Sequence, residues 1–183
     1  MSHESRITTK GAIPRTLIAD SSHSMTRIPK IVSGGQTGVD RAALDVALQL
    51  GVPCGGWCPK GRRAEDGPID LCYPLRETSS RDYRVRTEKN VKEADGTLIL
   101  TQGLARGGTA LTIHLAQKHR KPHLVVDLSA EAGPEKVRDW IHHNKVRVLN
   151  VAGPRETEHP GIHSQAVDFL RALFSRPKNL REP

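Results

Sequence analysis

Apolar and polar positions alternate along the central part of the chain with two different periods. Short apolar runs predict five strands, at 30–33, 53–58, 97–101, 123–128 and 146–151. Helical spacing and end signals predict five helices, at 39–50, 81–94, 107–118, 134–143 and 159–174. Strands that alternate with helices are typical of βαβ units, so the pattern predicts an α/β fold, a three-layer sandwich with a mostly parallel central sheet. Ligands of such folds bind outside the carboxyl ends of the strands.

This pattern assigns residues 30–174 to a single domain. Residues 1–29 show neither period and are rich in Ser, Thr and His, so we expect a flexible N-terminal extension, with Met25 as an alternative start to Met1. Residues 175–183 are expected to form a loose C-terminal tail. No run approaches the roughly 20 apolar residues of a membrane-spanning helix, which argues against a membrane protein.

The net charge of the chain is +8, from 28 Lys and Arg residues against 20 Asp and Glu residues. Residues 1–29 contribute +2 and residues 171–183 contribute +3, so most of the excess lies near the two ends. The remaining +3 lies in residues 60–92, which hold nine basic and six acidic residues. Aromatic residues make up only 3% of the chain, too few for a protein that stacks single-stranded bases. The charge therefore predicts a local patch for a small phosphorylated ligand and no specific nucleic-acid partner.

Three cysteines, Cys54, Cys58 and Cys72, cannot all pair, which argues against a secreted domain held by disulfides. The N-terminus lacks the apolar run of a signal peptide, so we expect a cytoplasmic protein. We interpret the cysteines as small buried residues or as a reactive thiol beside Lys60. Neither they nor the nine histidines show the spacing of a zinc site, so no metal ligand is assigned.

The clearest local motif is a glycine-rich turn between the first predicted strand and the first predicted helix. Glycine lets backbone N–H groups approach a ligand, and a helix N-terminus presents unpaired donors that favour phosphate. Asp40, in the first helical turn, either caps the helix or orients a polar group of the ligand. The alternative is a tight turn that needs glycine for its backbone geometry alone. The candidate binding residues of this turn are Gly34, Gly35, Gln36, Thr37, Gly38 and Asp40.

A second turn of the same kind lies between the strand at 97–101 and the helix at 107–118, and it contributes Gly107, Gly108 and Thr109. Both turns are expected at the same edge of the sheet, where they would hold two ends of an elongated phosphorylated ligand. Neither turn matches the G-x-x-x-x-G-K-[ST] motif or the full G-x-G-x-x-G motif. The sequence thus argues against a triphosphate hydrolase of that class and against an ordinary dinucleotide dehydrogenase.

A long charged loop at 59–80 is the third candidate element. Lys60, Arg62 and Arg63 are candidates to neutralise a phosphate or another oxoanion. Glu65 and Asp66 are candidates to position a pterin, a base or a ribose, or to act as general acid or base. The alternative is a solvated loop whose charge pairs contribute little. The length of the loop favours a ligand lid.

The order of these motifs resembles that of the molybdenum-cofactor carrier proteins, a family of the SLOG superfamily of Rossmann-like domains. The resemblance covers residues 30–172 and rests on GGQTGVDRAALD at 34–45 and GWCPKGRRAEDG at 56–67, with further matches at 86–91, 94–100 and 107–109. It implies a Rossmann-like fold, a homo-oligomer (dimer or tetramer), and binding and protection of the molybdenum cofactor, a phosphorylated pterin also called molybdopterin. It further implies molybdoenzymes or cofactor-biosynthesis proteins as partners.

The resemblance also makes Arg86, Thr87 and Asn90 candidate ligand-binding residues; the alternative is an exposed charged helix. Other members of the superfamily bind nucleotide-derived ligands, and some hydrolyse nucleoside monophosphates with a PGGxGT-x-x-E motif. Here Thr112 stands where that glutamate would follow Thr109, which argues against the hydrolase. A nucleotide or pterin sensor, or an enzyme that uses Glu65 or Asp66, remains the alternative. We assign no catalytic residue.

Overall fold

The structure is a computed structural model that describes residues 29–130 and 133–175. Residues 1–28 of the predicted N-terminal extension, both candidate start sites and the predicted tail after Ser175 lie outside the described residues. The helices are α1 (Val39–Gln49), α2 (Tyr83–Glu93), α3 (Gly107–Lys118), α4 (Pro134–His143) and α5 (Ile162–Phe174). The strands are β1 (Lys30–Val32), β2 (Cys54–Gly55), β3 (Trp57–Cys58), β4 (Arg63–Ala64), β5 (Gly67–Pro68), β6 (Arg76–Glu77), β7 (Gly96–Thr101), β8 (His123–Asp127) and β9 (Val148–Ala152).

Five of these strands form one parallel sheet in the order β2-β1-β9-β7-β8. Helix α5 packs against α1 and α4, while α2 packs against α3, so helices cover the sheet in two separate groups. The main core contains Ile31, Leu98, Leu100 and Leu149 of the strands and is completed by apolar residues of α1, α4 and α5. The predicted Rossmann-like α/β fold with a parallel central sheet is confirmed.

The sequence did not predict where the last strand lies. Strand β9 is inserted between β1 and β7, although β1 and β7 precede it in the chain. From β1 the chain proceeds through α1 to β2 at one side, and from β7 it proceeds through α3 to β8 at the other. The direction of winding therefore changes at β9. Doubly wound folds bind ligands at such a point, outside the carboxyl ends of the strands, and the edge formed by the carboxyl ends of β1, β9 and β7 is here called the crevice.

The prediction of a single strand at 53–58 was wrong. The chain turns at Gly56, which has φ +129°, so that β2 pairs with β1 whereas β3 pairs with β6 in a separate small sheet. A Cβ atom at Gly56 would lie 2.1 Å from the carbonyl oxygen of Ser33, and only glycine avoids this clash. The loop predicted at 59–80 also contains the short antiparallel pair β4-β5.

The last helix begins three residues later than predicted. Gly161 has φ +86°, and the Glu156 carboxylate accepts hydrogen bonds from the N–H groups of Gly161 (2.6 Å) and His163 (3.0 Å). A side chain from outside the helix thus satisfies donors that an N-terminal turn leaves free. Because these partners are five and seven residues apart, the apolar period of the helix does not reveal them.

Candidate functional site

The first glycine turn is built around a buried ion pair. Nη1 of Arg86 lies 2.9 Å from Oδ2 of Asp40, and Asp40 is only 3% exposed. Burial raises the pKa of the Asp40 carboxyl, against the lowering effect of Arg86 and of the N–H groups of Gln36 and Gly34. A Cβ atom at Gly34 would lie 1.7 Å from Nη1 of Arg86, so the glycine is what lets the guanidinium reach the carboxylate.

Gln36 and Glu65 join the first glycine turn to the charged loop. The side-chain oxygen of Gln36 accepts hydrogen bonds from the N–H groups of Thr37 and Glu65, both at 3.0 Å. The Glu65 carboxylate accepts in turn from the hydroxyl groups of Thr37 and Thr157. Burial opposes ionisation of Glu65, but the hydrogen bonds from Thr157 and Thr37 outweigh it and lower the pKa of this carboxyl. Glu65 is therefore an ionised cross-link between three loops.

Gly38 brings the start of α1 against the segment that follows β9. Gly38 has φ +72°, and a Cβ atom there would lie 2.4 Å from the carbonyl oxygen of Pro154. The same carbonyl accepts the N–H group of Val39 at 3.2 Å. Together with the contacts of Asp40, this means that internal acceptors already occupy donors of the first turn.

Arg62 is a structural residue of the loop. Its guanidinium donates to four main-chain carbonyl groups, those of Ile69 (2.8 Å), Asp70 (2.6 Å), Tyr73 (3.0 Å) and Leu75 (3.2 Å). All three guanidinium nitrogens are thus engaged within the loop. Arg62 closes the segment 69–75 on itself, and this geometry leaves it little capacity to bind an external anion.

The rest of the loop is also fastened to α1. Asp66 pairs with Arg41, and Nη2 of Arg41 donates to the carbonyl oxygen of Gly35 at 3.1 Å. The hydrogen bond from Arg41 lowers the pKa of Asp66. A small apolar core lies beneath these pairs and contains Leu44, Cys58, Ala64, Ile69 and Leu75. A loop packed in this way does not have the open geometry of a lid, and of its three predicted cationic ligands only Lys60 and Arg63 are exposed.

Arg63, Tyr83 and Arg155 form a cluster of cationic and aromatic side chains near the carboxyl end of β9, here called the Arg155 cluster. The guanidinium carbons of Arg63 and Arg155 lie 5.5 and 5.3 Å from the ring centre of Tyr83. Arg155 approaches the carboxylates of Glu65 and Glu158 only at 4.0 and 3.9 Å, longer than ordinary hydrogen bonds. Because neither contact saturates its donors, Arg155 retains capacity to bind an anion.

The second glycine turn is open, in contrast to the first. Gly107 and Gly108 are exposed, and a Cβ atom at Gly108 would meet nothing within 4 Å. The helix start at Arg106 has no side-chain cap, and among the described residues no acceptor bonds the N–H groups of the two glycines. Thr109 is 2% exposed and its hydroxyl oxygen has no hydrogen-bond partner. A Cβ atom at Gly107 would lie 3.7 Å from Oε1 of Glu158, which places this turn next to the Arg155 cluster.

Thr87 and Asn90 of the predicted site bind main-chain groups of the protein. The Thr87 hydroxyl donates to the carbonyl oxygen of Tyr83 at 2.9 Å. The Asn90 amide bonds the main chain of Trp57 twice, accepting its N–H at 2.8 Å and donating to its carbonyl at 3.0 Å. Both side chains are buried, and the two bonds from Asn90 position α2 against β3.

The sequence analysis missed two residues of the crevice, Tyr83 and Arg155. The sequence pattern places Tyr83 in a charged helix and Arg155 in an irregular segment. A signal for Arg155 existed, since it lies three residues after the end of β9 and the carboxyl ends of parallel strands carry ligand-binding residues. No comparable local signal points to Tyr83.

Within residues 29–130 and 133–175, no group of three His, Cys, Asp or Glu side chains is arranged to hold a metal ion. In the same residues, no helix combines the length and the apolar character that crossing a membrane requires.

The sheet order and the crevice at the carboxyl ends of β1, β9 and β7 define a Rossmann-like α/β domain. Residues 31–174 match the family described as the circularly permutated YpsA SLOG family, and the chain belongs to this family. It is similar to a crystal structure at 1.45 Å resolution described as "Putative molybdenum carrier protein" from Syntrophus aciditrophicus SB. The two chains are 44% identical with a TM-score of 0.78, over 81% of this chain and 96% of that one. No protein with a curated description matches the chain. The predicted family resemblance is confirmed.

Proposed function

We propose that this protein is a carrier that binds a phosphorylated pterin of the molybdenum-cofactor class in the crevice and protects it. The observation that carries the proposal is the open N-terminus of α3 at Gly107 and Gly108. Glu158 lies next to Gly107 and 3.9 Å from Nε of the partly paired Arg155, so the guanidinium is near this turn. A helix N-terminus with free donors and a nearby guanidinium favours a phosphate group. The similar chain from Syntrophus, described as a molybdenum carrier, supports this choice of ligand class.

The residues at the second turn fit a phosphate chemically. An unpartnered hydroxyl as buried as that of Thr109 is unfavourable unless a ligand or water completes it, and a phosphate oxygen is a suitable acceptor. Arg155 would supply a charged, two-pronged donor, and Arg63 further positive charge at the rim. The aromatic ring of Tyr83, with both guanidinium groups close to it, offers a flat surface to the pterin.

The first turn has a different role in this proposal. The Asp40–Arg86 pair occupies the space above Gly34, and both Nε of Arg86 and Nε2 of Gln36 are buried without hydrogen-bond partners. We assign these two nitrogens to polar atoms of the pterin ring, with Asp40 as the group that holds Arg86 in place. Gly34, Gly35 and Gly38 then shape the crevice without contacting phosphate.

The mechanism that we propose is sequestration, not chemistry on the ligand. Cleavage of a carbon–oxygen or glycosidic bond would need a general acid or base. Glu65 and Asp66 are the candidates, but both carboxylates are held by partners within the protein and have lowered pKa values. The geometry thus favours binding over hydrolysis. Homo-oligomer formation, a cytoplasmic location and transfer to molybdoenzymes or cofactor-biosynthesis proteins remain predictions from the resemblance.

The test is to load the full-length protein with molybdenum cofactor under anaerobic conditions and to follow the decay of the cofactor in air. We expect the cofactor to decay more slowly with the wild-type protein than in buffer. With R155Q it should decay faster than with the wild-type protein. R147Q is the matched control, because Arg147 is an exposed arginine at the opposite end of the same strand. Equal decay with and without wild-type protein would overturn the carrier function.

A nucleotide-derived ligand is the second candidate, because the phosphate contacts at α3 would serve a nucleotide equally well. Incubation with a panel of nucleoside monophosphates distinguishes the cases. Binding without release of free base supports a nucleotide carrier or sensor, whereas release of the base by the wild-type protein would contradict the assignment of Glu65 and Asp66 as structural groups.

A further inference from the structure

A cavity lies over β1 and β2, on the side of the sheet that carries α2. Its volume is about 420 Å³, which is within the size range of sites for small molecules. Its floor runs along β1 from Lys30 to Val32 and includes Val148, the first residue of β9. None of the residues proposed to bind the phosphate of the carrier ligand lines this cavity.

Two walls, α2 and the segment from Pro74 to Arg76, enclose the cavity. Helix α2 packs on β9 and lines one wall with Asn90 and Glu93, while the segment from Pro74 to Arg76 crosses over the turn after β2. The N–H group of Arg76 donates to the carbonyl oxygen of Gly56 at 2.9 Å, which holds this second wall in place. The space between the two walls borders β1 and β2.

The two cationic side chains that line this cavity differ in their pairing with carboxylates. Arg76 is compensated, since its Nη2 lies 3.0 Å from Oε2 of Glu93 and its guanidinium carbon lies 4.1 Å from the ring centre of Trp57. Lys30, in contrast, has no carboxylate within 4.0 Å among the described residues. One uncompensated ammonium group is thus the dominant charge of the cavity.

The remaining lining is partly apolar and includes one thiol. Val32, Pro74 and Val148 supply apolar surface. Cys54 is half-buried and close enough to Lys30 for the ammonium to lower its pKa, although burial raises that pKa more strongly. A single positive charge beside apolar surface matches a ligand with one negative group and an apolar body.

We propose that this cavity is a second binding site, for a small organic anion whose charge pairs with Lys30 and whose apolar body lies on Val32 and Val148. The site is independent of the carrier function, because it shares no residue with the second glycine turn or with the Arg155 cluster. An occupant would contact both α2 and β1.

Cys54 lines the cavity and therefore reports on its occupancy. The probe is 8-anilinonaphthalene-1-sulfonate, an aromatic monoanion, and the readout is alkylation of the full-length protein by iodoacetamide, followed by peptide mass spectrometry. We expect the probe to slow alkylation of Cys54 but not of Cys72, which is exposed beside Asp70 and outside the cavity. The uncharged N-phenyl-1-naphthylamine should protect Cys54 at least about fivefold less well, since it lacks the charge pair.

The variant K30Q tests the role of the charge. The probe concentration for half-protection should rise about fivefold in K30Q and stay unchanged in K92Q, an exposed lysine on α2 that does not line the cavity. Thermal unfolding of both variants checks that the fold is retained. Absence of protection in the wild-type protein, or equal protection in K30Q, would overturn the proposal. Neither outcome bears on cofactor binding in the crevice.

Discussion

Arg86 of α2 reaches across the backbone of Gly34 to pair with Asp40 of α1 at 2.9 Å. This pair links a helix on one side of the sheet with a helix on the other at the carboxyl end of β1. It explains why two charged residues 46 positions apart both belong to the candidate site. It also means that the turn needs glycine at position 34 to leave room for Arg86, whether or not a ligand binds there.

The first prediction concerns the space at Gly34. In G34A, the added methyl group would overlap the Arg86 guanidinium and displace it, leaving the Asp40 carboxylate buried without its partner. We expect a loss of about 3 kcal/mol in the free energy of unfolding, measured by urea denaturation. G108A is the matched control, since a Cβ atom there meets nothing within 4 Å, and it should be as stable as the wild-type protein.

The second prediction separates a structural arginine from a ligand-binding one. R62A leaves four main-chain carbonyl groups without their donor, so we expect unfolding to become easier by about 2 kcal/mol. K60Q, on an exposed neighbour, should change stability by less than about 0.5 kcal/mol. Urea denaturation measures both. An R62A protein of wild-type stability would show that these hydrogen bonds do not hold the loop.

The third prediction concerns pH. The hydrogen bonds to Glu65 lower its pKa from the ordinary value of 4.5, so the ionised carboxylate stabilises the fold above that pH. This contribution is lost as the pH falls through the lowered pKa. The difference in unfolding free energy between the wild-type protein and E65Q should therefore be larger at about pH 6 than at about pH 3. A difference that grows on acidification would contradict the assigned sign.

The fourth prediction concerns the hydroxyl group at the start of α3. T109V removes the unpartnered oxygen while keeping the side-chain shape, so we expect affinity for the phosphorylated cofactor to fall about tenfold with little loss of stability. T112V is the control on the same helix, because the Thr112 hydroxyl already donates to the carbonyl oxygen of Gly108 at 2.9 Å. Anaerobic equilibrium dialysis measures both affinities. Equal losses in the two variants would argue against a ligand contact at Thr109.

The elements of the fold were predictable because their signals are local. The apolar run at 98–100, within the strand predicted at 97–101, corresponds to β7, whose six residues are all buried, and the spacing of three and four residues identified α1. The turn at Gly56 was not predictable in this way, since its cause is the approach of the Ser33 carbonyl oxygen from another strand. Contacts of this kind depend on the pairing of strands distant in sequence.

For the candidate site, the location was predictable from the sequence, but the roles of the individual side chains were not. The glycine motifs and the basic segment 60–92 located it within the chain. The roles of individual side chains within it depended on partners elsewhere: Arg62 is engaged by carbonyl groups up to 13 residues away, and Arg155 and Tyr83 meet only after folding. Charge and composition alone could not distinguish Arg62 from Arg63, although their surroundings differ completely.

By itself, the sequence determined the five helices, the approximate positions of the strands of the main sheet, the family and the positions of the two glycine turns, since all of these follow from neighbouring residues. The tertiary structure decided that β9 lies between β1 and β7, that the first turn is occupied by the Asp40–Arg86 pair, and that the second turn is open. The reason is physical: periodicity and turn chemistry act over a few residues, whereas the occupancy of a donor depends on which distant acceptor the fold brings to it.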